Sequence, residues 1–258
     1  MNIISIVNQI GGVAKTTTAV NLASSLVELG QKVLVIDMDP QANLAKSLGF
    51  NKQPENTIYD ILVNKLPLTK AIYPTKVDNL NIVPSNISLA TAEVELIGEL
   101  SRETLLKESL KESENLDYDY VIIDCHPSLG LLTINALVAC NDVIIPVEPS
   151  IFAKKSLVEG LEQLMKVIEL IRKRVNPDLN LKGALLTRVE SKREEENLFK
   201  EELAETFGDK VFKTAIHKTV KIPEAQTEEL PINLFDNTIR AAKEYLVLAK
   251  EIIEMDSK

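Results

Sequence analysis

The sequence contains no tryptophan and only 4% aromatic residues, so its core has to be built from Ile, Val, Leu and Ala. Its two cysteines, Cys125 and Cys140, give neither a disulfide framework nor a metal-ligand spacing, which points to a reducing cytosol. No apolar run is long enough to span a bilayer, and no signal peptide precedes the first strand. No Pro-, Gly- or Ser-rich linker, repeat or low-complexity segment divides the chain, so one domain, residues 1–258, is expected. Positive charge is also short. A net charge of −9 speaks against a protein that coats DNA with its whole surface, and any DNA contact needs a local basic patch.

What is present begins at the N-terminus. Ile3, Ile4, Ile6 and Val7 read as a buried strand, which Gly11 and Gly12 break. Lys15, Thr16 and Thr17 then open a helix carrying Ala19, Val20, Leu22, Ala23 and Leu26. Strand, glycine turn, Lys-Thr and helix is the layout of a phosphate-binding loop. Glycines let backbone N–H groups point at an anion, and the helix N-terminus adds partial positive charge. In that layout Lys15 reaches the β/γ-phosphates and the Thr16 hydroxyl ligates Mg²⁺. The usual G-x-x-x-x-G-K-[ST] spacing is not met, because Gln9 and Ala14 occupy its glycine positions.

Further strands are expected at residues 32–37, 80–83, 120–124, 142–147, 181–186 and 211–216. Helices are expected after Asn43, at 58–63, once or twice within 89–110, from near Phe152 through Ile171, at 196–206 and at 236–254. Cys140 lies in an apolar helix run. This alternation predicts an α/β fold: a mostly parallel twisted sheet with helices on both faces. In such sheets ligands bind at the C-terminal ends of the strands. Asp37, Asp39 and Asp124 fall at such ends. Cys125 next to His126 invites a nucleophile or a metal site, but neighbours on an extended backbone point opposite ways, and packing is the expectation.

The motif that does match is Gly-Gly-x-x-Lys-Thr-Thr, from Gly11 through Val13 and Ala14 to Thr17. Asp37-Met38-Asp39-Pro40-Gln41 follows, then Asp124-Cys125-His126-Pro127-Ser128-Leu129-Gly130. In this order they resemble the ParA/MinD superfamily of deviant Walker P-loop ATPases, ParA/Soj branch, over residues 1–254. The resemblance implies ATP and Mg²⁺ as cofactors. It implies Lys15 and Asp39 as catalytic residues, Asp39 positioning the attacking water. Gly11 through Thr17, Gln41, Ile222 and Pro223 would contact nucleotide. Thr16, Asp37, Asp39 and Asp124 would surround the metal.

Lys210, Lys213, Lys218 and Lys221 lie in a segment with no acid between Lys210 and Lys221. It resembles the family's loop before its Ser-Glu-Ala motif, where basic residues contact DNA phosphates and loop atoms hold the adenine. Lys213, Lys218 and Lys221 are the expected DNA contacts, with unspecific phosphate binding rather than base readout. A solvated, lysine-guarded strand edge is the plain alternative.

One position departs from the family. Ile10 stands where its signature lysine would cross the dimer to the partner's phosphates. Lys154 and Lys155 open the helix after Glu148-Pro149 and are candidates to replace it. That combination resembles the carboxysome-positioning branch. The alternative is that Ile10 marks a weakened site and both lysines are surface charges.

The expected function is therefore a slow, partner-stimulated Mg²⁺-dependent ATPase, cytoplasmic and nucleoid-associated. ATP would bring two copies into a sandwich homodimer that binds DNA without sequence preference. An adaptor on the cargo would stimulate hydrolysis and release. The cargo is a carboxysome on the lysine argument, or a plasmid or chromosome in the wider family. The chain starts at its first strand, so no N-terminal DNA-binding extension is expected. Its end, Glu254-Met255-Asp256-Ser257-Lys258, lacks the basic amphipathic tail of a MinD-like membrane switch. The cysteines do not suit an iron–sulfur reductase. A scaffold that holds ATP without cleaving it stays open because of Ile10.

Overall fold

The structure is a computed structural model that describes residues 1–113, 116–149, 155–190 and 193–257. The apolar runs form β1 (Asn2–Ile6), β2 (Val33–Met38), β3 (Tyr73–Pro74), β4 (Leu80–Val83), β5 (Tyr120–Cys125), β6 (Asp142–Val147) and β7 (Asn180–Leu186). They pair into one sheet in the order β3-β4-β2-β5-β1-β6-β7. Every pairing is parallel except the short β3–β4 edge.

Alternation along each strand feeds two separate cores. Val33 and Val35 of β2, with Tyr120 and Ile122 of β5, face one core; Leu34, Ile36, Met38, Val121 and Ile123 face the other. The first core is covered by α1 (Lys15–Glu28), α2 (Asn43–Ser47), α10 (Ile232–Phe235) and α11 (Arg240–Asp256), with Ala225 of α9 (Lys221–Thr227). The second lies under α3 (Ile58–Leu62), α4 (Leu89–Glu95), α5 (Leu105–Glu112), α6 (Leu131–Ala139), α7 (Lys155–Arg174) and α8 (Arg193–Phe207). The doubly wound α/β fold expected from the pattern is the fold found.

Residues 211–216 differ from expectation. They run beside β7 without a continuous ladder: the contacts are isolated bridges of Val211 with Ala184 and of His217 with Val189, just past β7, and a bond from Ile216 N to Leu186 O. The cause is a competing acceptor. The Glu251 carboxylate takes the N–H groups of Lys213 (2.9 Å) and Thr214 (3.1 Å), which a strand would use for its ladder. Residues 221–227, read as loop, are instead the helix α9. Pro223 fits there because it lies in the first turn, where its missing N–H leaves no intrahelical bond unmade.

Candidate functional site

β1 ends at Ile6 and the chain turns through Gly12 (φ 81) and Ala14 (φ 65) before α1 begins at Lys15. Both residues adopt left-handed backbone, which folds the loop back over the helix end. No acidic side chain occupies the first turn of α1 and no side chain caps it. Among the described residues, the N–H groups of Gly11 through Thr17 donate to no protein acceptor. The helix dipole and a row of free donors therefore point into one concavity. Three anchors hold the loop: Asn8 Nδ2 donates to Pro146 O (2.8 Å), Thr187 Oγ1 to Val13 O (3.1 Å), and Gln9 to the Gly160 carbonyl of α7.

Lys15 is buried, and its ammonium donates to Ile10 O (2.9 Å). Burial pushes its pKa down, and the carboxylates of Asp124 and Asp39 act against that.

Sheet register explains the acids. Asp37 of β2 stands directly opposite Asp124 of β5, both on the α1 face. Neither is reached by solvent: they are 0% and 1% exposed. Asp37 accepts the Asp39 N–H (3.0 Å), and Asp124 accepts the Thr16 hydroxyl. Asp37 Oδ2 and Asp124 Oδ1 have no hydrogen-bond partner. Burial raises the Asp37 pKa well above its ordinary value, with the Asp124 charge adding to it. Burial likewise pushes Asp124 up to about 7, opposed by Thr16 and Lys15.

Two buried carboxylate oxygens without donors, beside a threonine hydroxyl, suit a hard dication that keeps part of its water shell. Among the described residues no three His, Cys, Asp or Glu side chains form a metal cluster. A Mg²⁺ ion here would need phosphate oxygens to complete its shell, which fits a site shared with a nucleotide.

Asp39 and His126 follow directly after Met38 and Cys125, the last pair of that register. Asp39 Oδ1 accepts the Gln41 N–H (2.9 Å) and lies 3.0 Å from His126 Nδ1. His126 thus touches the expected catalytic acid, where sequence reasoning foresaw packing alone. Two residues from different strands carry no joint signal in the sequence. Cys125 points the other way into the core, and burial raises its thiol pKa well above the usual value.

Above the loop lies a cavity of about 460 Å³, lined by Gly11, Gly12, Ala14, Lys15, Thr16, Thr17 and Asp39 on one side and by Ile222 and Pro223 on the other. Its size suits a small-molecule ligand. Gln41 is exposed and Val13 is buried in the core, and neither lines the cavity. Arg188, at the end of β7, lines it and was not foreseen.

The basic segment reads differently in space. Lys218 pairs with Glu190, and Lys221 pairs with Glu224 (2.7 Å) one turn along α9. Lys213 is exposed, and its backbone is tied to Glu251. Glu190, distant in sequence, and Glu224, one helical turn away, thus supply the acids the segment lacks on its own, and Lys218 lines the cavity. Lys154 lies outside the described residues. So does the side chain of Lys155, the first residue of α7.

A family model described as an AAA domain matches residues 1–181. The chain is 46% identical over 251 residues to sporulation initiation inhibitor protein Soj of Bacillus subtilis (strain 168), covering 97% of each. It is 40% identical over 256 residues to chromosome partitioning protein ParA of Myxococcus xanthus (strain DK1622), covering 99% of this chain and 89% of that one. A crystal structure of cobyrinic acid a,c-diamide synthase from Mycobacterium smegmatis, with bound ATP analog and magnesium, superposes with a TM-score of 0.86. That protein is 31% identical, and the match covers 100% of this chain and 96% of that one. Kinship along the whole chain agrees with the deviant loop and the parallel sheet behind it: the chain belongs to the ParA/MinD-type family of ATPases.

Proposed function

We propose that residues 1–258 form one Mg²⁺-dependent ATPase domain that acts as a DNA-binding switch. ATP joins two copies in a sandwich dimer, and the dimer holds nucleoid DNA without sequence preference. An adaptor protein on the cargo stimulates hydrolysis and release, in the cytoplasm and with no membrane step. Among the described residues no helix is long and apolar enough to cross a membrane. The observation that carries this reading is the buried Lys15 set beside two buried, unpartnered carboxylate oxygens at the open end of α1.

In this reading the free N–H groups from Gly11 to Thr17, with Lys15, hold the triphosphate. Thr16, Asp37 and Asp124 would hold the metal, with Asp39 nearby. The ion supplies positive charge where phosphoryl oxygens become more negative. Asp39, fixed on Oδ1 by Gln41 and His126, keeps Oδ2 for the attacking water. Ile222 and Pro223 form the far wall for the base.

The 46% and 40% identity to proteins named for sporulation control and chromosome partitioning supports a chromosomal cargo. The carboxysome alternative draws on Ile10 together with Lys154 and Lys155, whose side chains lie outside the described residues. Ile10 is uncharged and packs against the core, and it also favours a second reading, a scaffold that holds ATP without cleaving it.

Binding of a fluorescent ATP analogue and ATP-dependent DNA retention, measured on wild type and Lys15→Ala, test the switch. The variant should lose both, because only the ATP-bound dimer presents the DNA surface. DNA retention by Lys15→Ala with ATP present would sink the switch. A wild type that binds both ligands but releases no phosphate, even with DNA and its adaptor, would establish the scaffold.

A further inference from the structure

Two cations sit on the phosphate-binding loop, and each is hydrogen-bonded to one of its carbonyls. Lys15 Nζ donates to Ile10 O at 2.9 Å. Arg188 donates from one terminal guanidinium nitrogen to Gly12 O at 2.8 Å. A peptide carbonyl is a neutral acceptor with one oxygen, whereas phosphate oxygens carry charge and a guanidinium can bond two of them in parallel. The guanidinium therefore has reason to exchange Gly12 O for phosphate oxygens.

The backbone is shaped for this. Arg188 adopts φ 54, in the left-handed region, which costs a residue with a Cβ about 1–2 kcal/mol. Nothing in β7 calls for that conformation, since the strand has already ended at Leu186. The turn carries the side chain back over the loop, while Thr187 beside it bonds Val13 O at 3.1 Å. Strain of this kind at a cavity wall points to a binding role.

Charge leads to the same place. Asp39 and Thr16 line the cavity; Asp37 accepts the Asp39 N–H, and Asp124 accepts the Thr16 hydroxyl. A triphosphate adds several more negative charges. Among the described cations on the cavity wall, Lys218 is drawn to Glu190, while Lys15 and Arg188 face the loop. Among the described residues, the acid paired with Arg188 is Glu148, at 3.7 Å. That contact is too long for a tight pair, and the guanidinium stays 41% exposed. Position 10, where the sequence reading missed a cation, is adjacent in the same loop.

We propose that Arg188 is a second phosphate-binding residue of this site. Its guanidinium recognises the polyphosphate end of the nucleotide and makes the site discriminate by phosphate number. The proposal rests on the nucleotide reading above.

Calorimetric affinities for ATP, ADP and AMP test it, on wild type, Arg188→Gly and Arg188→Asn. Gly and Asn accept left-handed backbone, so neither variant has to refold the turn, and thermal melts check that both fold. The variants should lose about tenfold or more in ATP affinity, less for ADP, and nothing for AMP. Losses equal across the three nucleotides would overturn the proposal, leaving Arg188 a strut for Gly12; so would wild-type affinity in the variants. A wild type with no affinity for ATP would instead sink the nucleotide reading itself.

Discussion

Replacing Asp124 by Asn should make the protein more stable, and by a wider margin at pH 8 than at pH 5. In the fold Asp124 is 1% exposed, and one carboxylate oxygen has no partner. Burial moves its pKa from 3.8 to about 7. Between those two values the folded protein binds more protons than the unfolded chain, so stability falls as pH rises through the window. A displacement of that size amounts to roughly 4 kcal/mol over the whole window, and to about 2–3 kcal/mol between pH 5 and pH 8. Asn has no proton to lose, so Asp124→Asn lacks this slope.

The stability difference between variant and wild type should therefore widen by about 2–3 kcal/mol in the variant's favour from pH 5 to pH 8, roughly 5–10 °C in Tm for a chain of this size. Asp37 pushes in the same direction and stands opposite, so the two carboxyls titrate as a pair. Calorimetric melts at the two pH values, with a chelator and no nucleotide, read the difference. If it stays flat or narrows, the buried carboxylates are not destabilising the fold. Adding Mg²⁺ and ATP should then raise the wild-type Tm more than the variant's, because ligand bound only to the folded state stabilises it.

Two other substitutions test parts of the structure separately. Lys182 is buried and bonded to Asp142 (2.8 Å) and Asp256, so Lys182→Met strands two carboxylates and should cost about 3–5 kcal/mol in denaturant unfolding; an unchanged midpoint would show the network to be dispensable. His126→Ala removes one of the two groups fixing Asp39 Oδ1 and should cut ATP turnover about tenfold with nucleotide affinity unchanged. His126→Asn should recover part of the loss, whereas a matching fall in affinity would mean the histidine only supports the fold.

The sequence by itself determined the parts of this protein that depend on neighbours along the chain. Near-continuous apolar runs placed β1, β2, β5 and β6. The Gly11-Gly12 turn before Lys15-Thr16-Thr17 marked the phosphate loop, and strand ends located Asp37 and Asp124. Each of these is set by local sterics, apolar patterning or turn chemistry, which a linear reading can follow. The tertiary structure alone decided what stands beside what. It set β5 between β2 and β1, and that register faces Asp37 with Asp124 and brings Asp39 to His126. It turned Arg188 back onto Gly12 from 176 residues away. It also brought Glu190 to Lys218, and Glu251 to the backbone at Lys213 and Thr214, so that a basic segment became a paired one and an expected strand lost its ladder. Strand order, register and long-range ion pairs are settled when both cores close against the sheet, and the residues concerned carry no mark of their partners in the order of the chain.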